Sequence, residues 1–85
     1  MKKQDLELLV QTGDVQNVVI SRDSSAAEWE LWAYGGSATD SRGNRLSTAR
    51  GEPRLFRTLD TAFSFASACG FRGPVSVEER FSKGA

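Results

Sequence analysis

The chain has 85 residues, with eleven Lys and Arg balanced by eleven Asp and Glu, no histidine and a single cysteine, Cys69. This length fits one domain, residues 1–85, and leaves no room for two. The composition excludes an intrachain disulfide, supplies no donor set for zinc and offers no run near the ~18 apolar residues of a membrane span. The apolar part of the N-terminal MKKQDLELLVQTG is too short for a signal peptide. The expectation is a cytoplasmic, bacterial-type protein with a reduced thiol. A core of this size is marginal by itself and gains from self-association, which favours a homodimer.

Residues 5–12, DLELLVQT, fit two periods. Leu6, Leu9 and Val10 suit a helix face, while Leu6, Leu8 and Val10 alternate as in a strand. Residues 16–22, QNVVISR, are β-branched and read as a strand. A polar connection, 23–27, leads to a second strand over 28–34, completing an antiparallel hairpin. There Trp29, Leu31 and Ala33 face the core, and Glu28, Glu30, Trp32 and Tyr34 face the other way. Residues 35–53 read as a long polar, Arg-rich loop, a length that is usually functional or disordered, with RLSTA (45–49) as a short strand inside it. A strand over about 54–57 precedes a helix over about 59–69. Thr58 caps that helix, Asp60 complements its dipole and Gly70 stops it. Leu59, Ala62, Phe63 and Ala66, with Cys69 or Phe65, form its buried stripe, and Phe71 folds back on the last turn. A final strand covers about 74–79, with Pro74 tolerable at its start. The expected class is α+β: a small, mostly antiparallel sheet with one helix packed on it.

Catalysis is poorly supplied. No histidine can act as a base near neutral pH. Cys69 sits at a helix C-terminus, which raises a thiol pKa, and reads as a packed core residue. No phosphate-loop motif is present. The expectation is a protein that is not an enzyme and has no cofactor, metal or small-molecule substrate.

Charge is distributed unevenly. Residues 1–40 carry a net charge of −4 and residues 41–85 a net charge of +4. The segment RGNRLSTARGEPRLFR, 42–57, concentrates Arg42, Arg45, Arg50, Arg54 and Arg57 against one acid, Glu52. Arginine presents a planar fork suited to phosphate and guanine edges, and Asn44, Ser47 and Thr48 are typical phosphate-contact partners. The spacing suits a ribbon or loop tracking a backbone. A blander reading stays open: a solvated loop whose arginines pair with Glu28, Glu30, Glu52 and the Glu78/Glu79 couple. Trp32 and Tyr34 are candidates for base stacking, or for a second apolar face closed by the N-terminal segment or a dimer partner.

The pieces WELWAYGG, GNRLSTARGEPRLFRTLDTAFSFA and GFRGPVSVEE resemble a pattern from small plasmid-borne accessory proteins of proteobacteria, tied to plasmid maintenance or partition. The resemblance spans roughly residues 18–80 and implies a homodimer, DNA binding and a plasmid context. The expectation is therefore a dimeric nucleic-acid-binding protein acting through its Arg-rich segment, on DNA, with RNA not excluded. The alternative is a regulatory module whose basic loop docks an acidic protein.

Overall fold

A computed structural model describes residues 1–35 and 43–80. Seven elements follow in order: α1 (Lys3–Gln11), β1 (Val15–Asp23), β2 (Trp29–Gly35), β3 (Asn44–Arg45), β4 (Leu55–Phe56), α2 (Leu59–Ala68) and β5 (Val75–Arg80). The strands form one mixed sheet in the order β3-β2-β1-β5, with β4 also paired to β2. The fold is α+β with a helix packed on the sheet, as composition and periodicity predict.

The double period of residues 5–12 resolves as a helix. The Lys2 backbone N–H donates to the Asp5 carboxylate at 2.9 Å, one half of a capping box. At the other end Gly13, at φ 79°, turns the chain left-handed. The amide of Asp14 then reaches the carbonyl of Leu9 and that of Gly13 reaches Val10, the paired bonds of a Schellman motif. Helix α1 points Leu6 into the core and leaves Leu8 59% exposed, an arrangement that a strand's alternation forbids.

The hairpin of β1 and β2 holds the expected alternation. Trp29, Leu31 and Ala33 are buried, and Glu30, Trp32 and Tyr34 are half-buried on the opposite face. Val18 and Ile20 of β1 pair with Ala33 and Leu31 and join the same core. Leu6 of α1 and Ala62 and Ala66 of α2 belong to that cluster too, so both helices cover the face bearing Val18, Ile20, Leu31 and Ala33. The N-terminal segment therefore does not close the Trp32/Tyr34 face.

Helix α2 begins and ends as predicted. The Thr58 hydroxyl accepts from the Thr61 amide at 3.1 Å. Past the last turn, Gly70 at φ 97° lets the Phe71 amide bond the Ala66 carbonyl, and Phe71 is buried. The buried stripe differs from the expected one. Ala62, Ala66 and Cys69 are buried and Phe65 packs against them, but Phe63 is 56% exposed and Leu59 is exposed too. Two alanines over the sheet let the helix sit close. Phe63 and Leu59 then fall on a shoulder that nothing in the described chain covers.

The sheet is mostly antiparallel, as expected; β5 alone among the described strands runs parallel, to β1, with Val18 opposite Val75 and Ile20 opposite Val77. Within the expected loop 35–53, of which 36–42 lie outside the described residues, the short strand falls at Asn44–Arg45 rather than over 45–49. Asn44 and Arg45 pair with Ala33 and Trp32, Ser47 bridges Pro53, and Leu46 is buried at 1% exposure. Residues 46–54 thus form a ribbon anchored on the core by Leu46.

Candidate nucleic-acid interface

The ribbon is closed by local chemistry. The Gly51 amide donates to the Thr48 carbonyl and the Thr48 amide to the Glu52 carbonyl. The Thr48 hydroxyl accepts from the Arg50 amide at 3.3 Å. This turn holds Arg50 at the tip, exposed and without an ion pair among the described residues. At the base, the Leu46 carbonyl accepts from the Arg54 amide and the Met1 carbonyl from the Ser47 amide, tying the ribbon to the start of α1.

The ribbon and α1 enclose a groove of about 630 Å³. Its cations are Lys2, the N-cap of α1, Lys3 from its first turn, and Arg54; Gln4, Ser47, Thr48 and Phe65 also line it. No acid among the described residues lines it. Phe65 is the floor. The Lys3 Nζ lies 6.0 Å from its ring centre and the Arg54 Cζ 5.7 Å from it. Phe56 supports that floor, with ring centroids 5.3 Å apart, and Arg54 lies 5.6 Å from the Phe56 ring as well. Arg54 is thus laid over two aromatic faces, a favourable setting for a planar guanidinium.

Lys2 and Lys3 did not stand among the residues expected to bind. One signal was present in the sequence. Cations at a helix N-terminus oppose the macrodipole, typically by 0.3–1 kcal/mol each at exposed sites, so two lysines there call for a compensating role. Lys2 and Lys3 line the groove, while the Asp5 carboxylate at the same helix end takes the Lys2 amide.

The expected site residues divide between two surfaces. Arg54, Ser47 and Thr48 belong to the groove. Asn44 and Arg45 lie at the sheet edge, and Arg45 reaches the open face. Its guanidinium is 3.6 Å from a Glu30 carboxylate oxygen and 5.8 Å from the Trp32 ring centre. Glu30 is shared: Arg80 approaches it at 3.8 Å and the Trp32 indole N–H donates to it at 3.1 Å. Trp32 is therefore held in a polar network beside a neutralised arginine. Tyr34 is backed by Gly43, where a Cβ would come within 2.6 Å of the phenol ring. Arg57 is exposed at the start of α2, without an ion pair among the described residues. Arg42 lies outside the described residues.

Burial pushes the Cys69 thiol up, and the nearby Glu7 carboxylate adds to this, with Lys3 acting weakly the other way. A protonated, buried thiol is a poor nucleophile. No cluster of potential metal ligands occurs among the described residues. No helix among them is long and apolar enough to cross a membrane. Comparison with protein-family models, curated proteins and solved structures finds no match. The likeness to plasmid accessory proteins thus stands only on the residues quoted for it.

Proposed function

We propose that this chain binds nucleic acid, with DNA as the principal target, by seating the phosphate backbone in the groove between α1 and the Arg-rich ribbon. The observation that carries the reading is the groove's lining: Lys2, Lys3 and Arg54 converge there, and no described acid does. Lys3 and Arg54 flank the Phe65 floor and supply charge to phosphates. Ser47 and Thr48 supply hydroxyls, and Phe65 offers a small apolar surface to a sugar or an unstacked base. Arg50, at the tip, extends the cationic surface beyond the groove. The plasmid context and a dimeric state belong to the same reading through the resemblance.

The test is fluorescence anisotropy with labelled duplex DNA, single-stranded DNA and RNA across a salt series. Three to five phosphate contacts give a slope of log K on log salt of about −2 to −4. The double charge reversal Lys3→Glu with Arg54→Glu lowers affinity about a hundredfold and flattens that slope by nearly two units. Absence of binding to all three probes at low salt overturns the reading. Binding of an acidic polypeptide such as polyglutamate, equal to that of DNA at matched charge, favours docking of an acidic protein instead.

A further inference from the structure

The groove lies at the β3/β4 edge of the sheet; the opposite edge carries a separate feature. Among the described residues β5 pairs only with β1 and ends the sheet. The Val18 amide donates to the Pro74 carbonyl. In a parallel ladder, successive residues direct their N–H and C=O groups alternately toward and away from the neighbour. Ser76, Glu78 and Arg80 therefore address β1, while Val75, Val77 and Glu79 turn their backbone groups outward. Sheet edges are ordinarily blunted by proline, lysine or a bulge. Here the proline precedes the strand, and none of the outward positions is lysine or proline.

The side chains reinforce the pattern. Val75 and Val77 share the face of Val18 and Ile20, yet Val77 is 56% exposed, as is Phe63 on the adjacent shoulder of α2. A notch of about 160 Å³ lies beside them, lined by Phe63, Phe71, Arg72 and Val75. The core face thus continues across β5 with nothing described above it. Glu79 is held internally by Arg22 at 2.7 Å. Arg72 and Glu78 are both exposed and have no ion pair among the described residues.

We propose that this edge is the homodimer interface: β5 pairs antiparallel with β5 of a second copy about a two-fold axis through Ser76. Such an axis sets Val75 of each chain opposite Val77 of the other, two apolar pairs on the core face joined by the outward backbone groups. About this axis the Val75-Ser76-Val77 run is its own complement, which selects a second copy over an unrelated strand. The two Phe63 side chains then approach across the joint and cover one another. The interface is independent of the nucleic-acid reading, since neither Lys3 nor Arg54 lies on it.

Sedimentation equilibrium at tens of micromolar is expected to give a dimer mass. Amide exchange followed by NMR is expected to show Val75 and Val77 gaining protection as concentration rises, while Ser76 and Glu78 are protected throughout. Phe63→Asp weakens self-association about a hundredfold or more, as loss of a central aromatic contact does. A monomer at these concentrations, or a dimer whose Val75 and Val77 amides exchange freely, overturns the proposal. So does a dimer insensitive to Phe63→Asp while circular dichroism confirms folding.

Discussion

The two edges of the sheet solve opposite problems. At the β3/β4 edge the paired strands are two residues long. They are held by a buried leucine, a capped turn and cations laid over aromatic rings. At the β5 edge a six-residue strand ends the sheet among the described residues, with outward amides and the apolar side chains of Val77 and Phe63 exposed. One edge gathers cations around a groove and is finished by the chain itself; the other leaves Val77 and Phe63 uncovered among the described residues, beside the charged end of β5. The contrast shows why a neutral total says little about this protein: the groove that gathers cations without acids and the uncovered apolar side chains lie at different borders of one small sheet.

The largest effect is expected from removing the anchor of the charged edge. Leu46→Ala should cost 2–5 kcal/mol, the range for a buried leucine truncated to alanine, measured by urea unfolding. A cost within a few tenths of a kcal/mol would mean that the ribbon is a solvated loop, and the contrast would fail. Next comes the charge reversal at Lys3 and Arg54. A hundredfold loss of DNA affinity corresponds to about 2.7 kcal/mol, and self-association should be unchanged, which separates the two edges functionally. Thr58→Ala should cost ~1 kcal/mol of stability by removing the hydroxyl cap. Because α2 carries both Phe65 and Phe63, this change weakens the two edges together. The smallest effect is expected at the open face. Arg45→Ala removes an exposed pair with Glu30 and should change stability by less than ~0.5 kcal/mol. DNA affinity should fall less than with Arg54→Ala; an equal or greater loss would move the binding surface to the Trp32 face.

Legibility in the sequence follows the range of the interaction. Trp29, Leu31 and Ala33 announced their strand because a period of two is written locally. Thr58 and Gly70 announced the bounds of α2 because capping uses neighbours three or four residues away. Residues 5–12 were ambiguous because their leucines satisfy both periods. The Asp5 cap and the left-handed Gly13 decided the matter, and both signals were local and underweighted. Leu46 was missed because a single apolar residue among polar ones has no period to read. Leu59 and Phe63 were misplaced on the buried stripe because a helical wheel cannot say how far a sheet extends beneath it.

The candidate site follows the same rule. The sequence concentrated arginine in residues 42–57 and placed Ser47 and Thr48 beside it, since composition is a local property. It could not say that Arg45 would meet Glu30 and Arg80 on one face while Arg54 met Lys2 and Lys3 on the other side of the ribbon. Those meetings join residues far apart in sequence and depend on the path of the chain. The parallel pairing of β5 with β1 is of the same kind. By itself the sequence determined the helices' ends, the alternation of the hairpin and the surplus of arginine, because each is set by neighbours along the chain. Tertiary structure alone decided which cations share a groove and which edge is left bare, because those depend on contacts that only the folded backbone brings within reach.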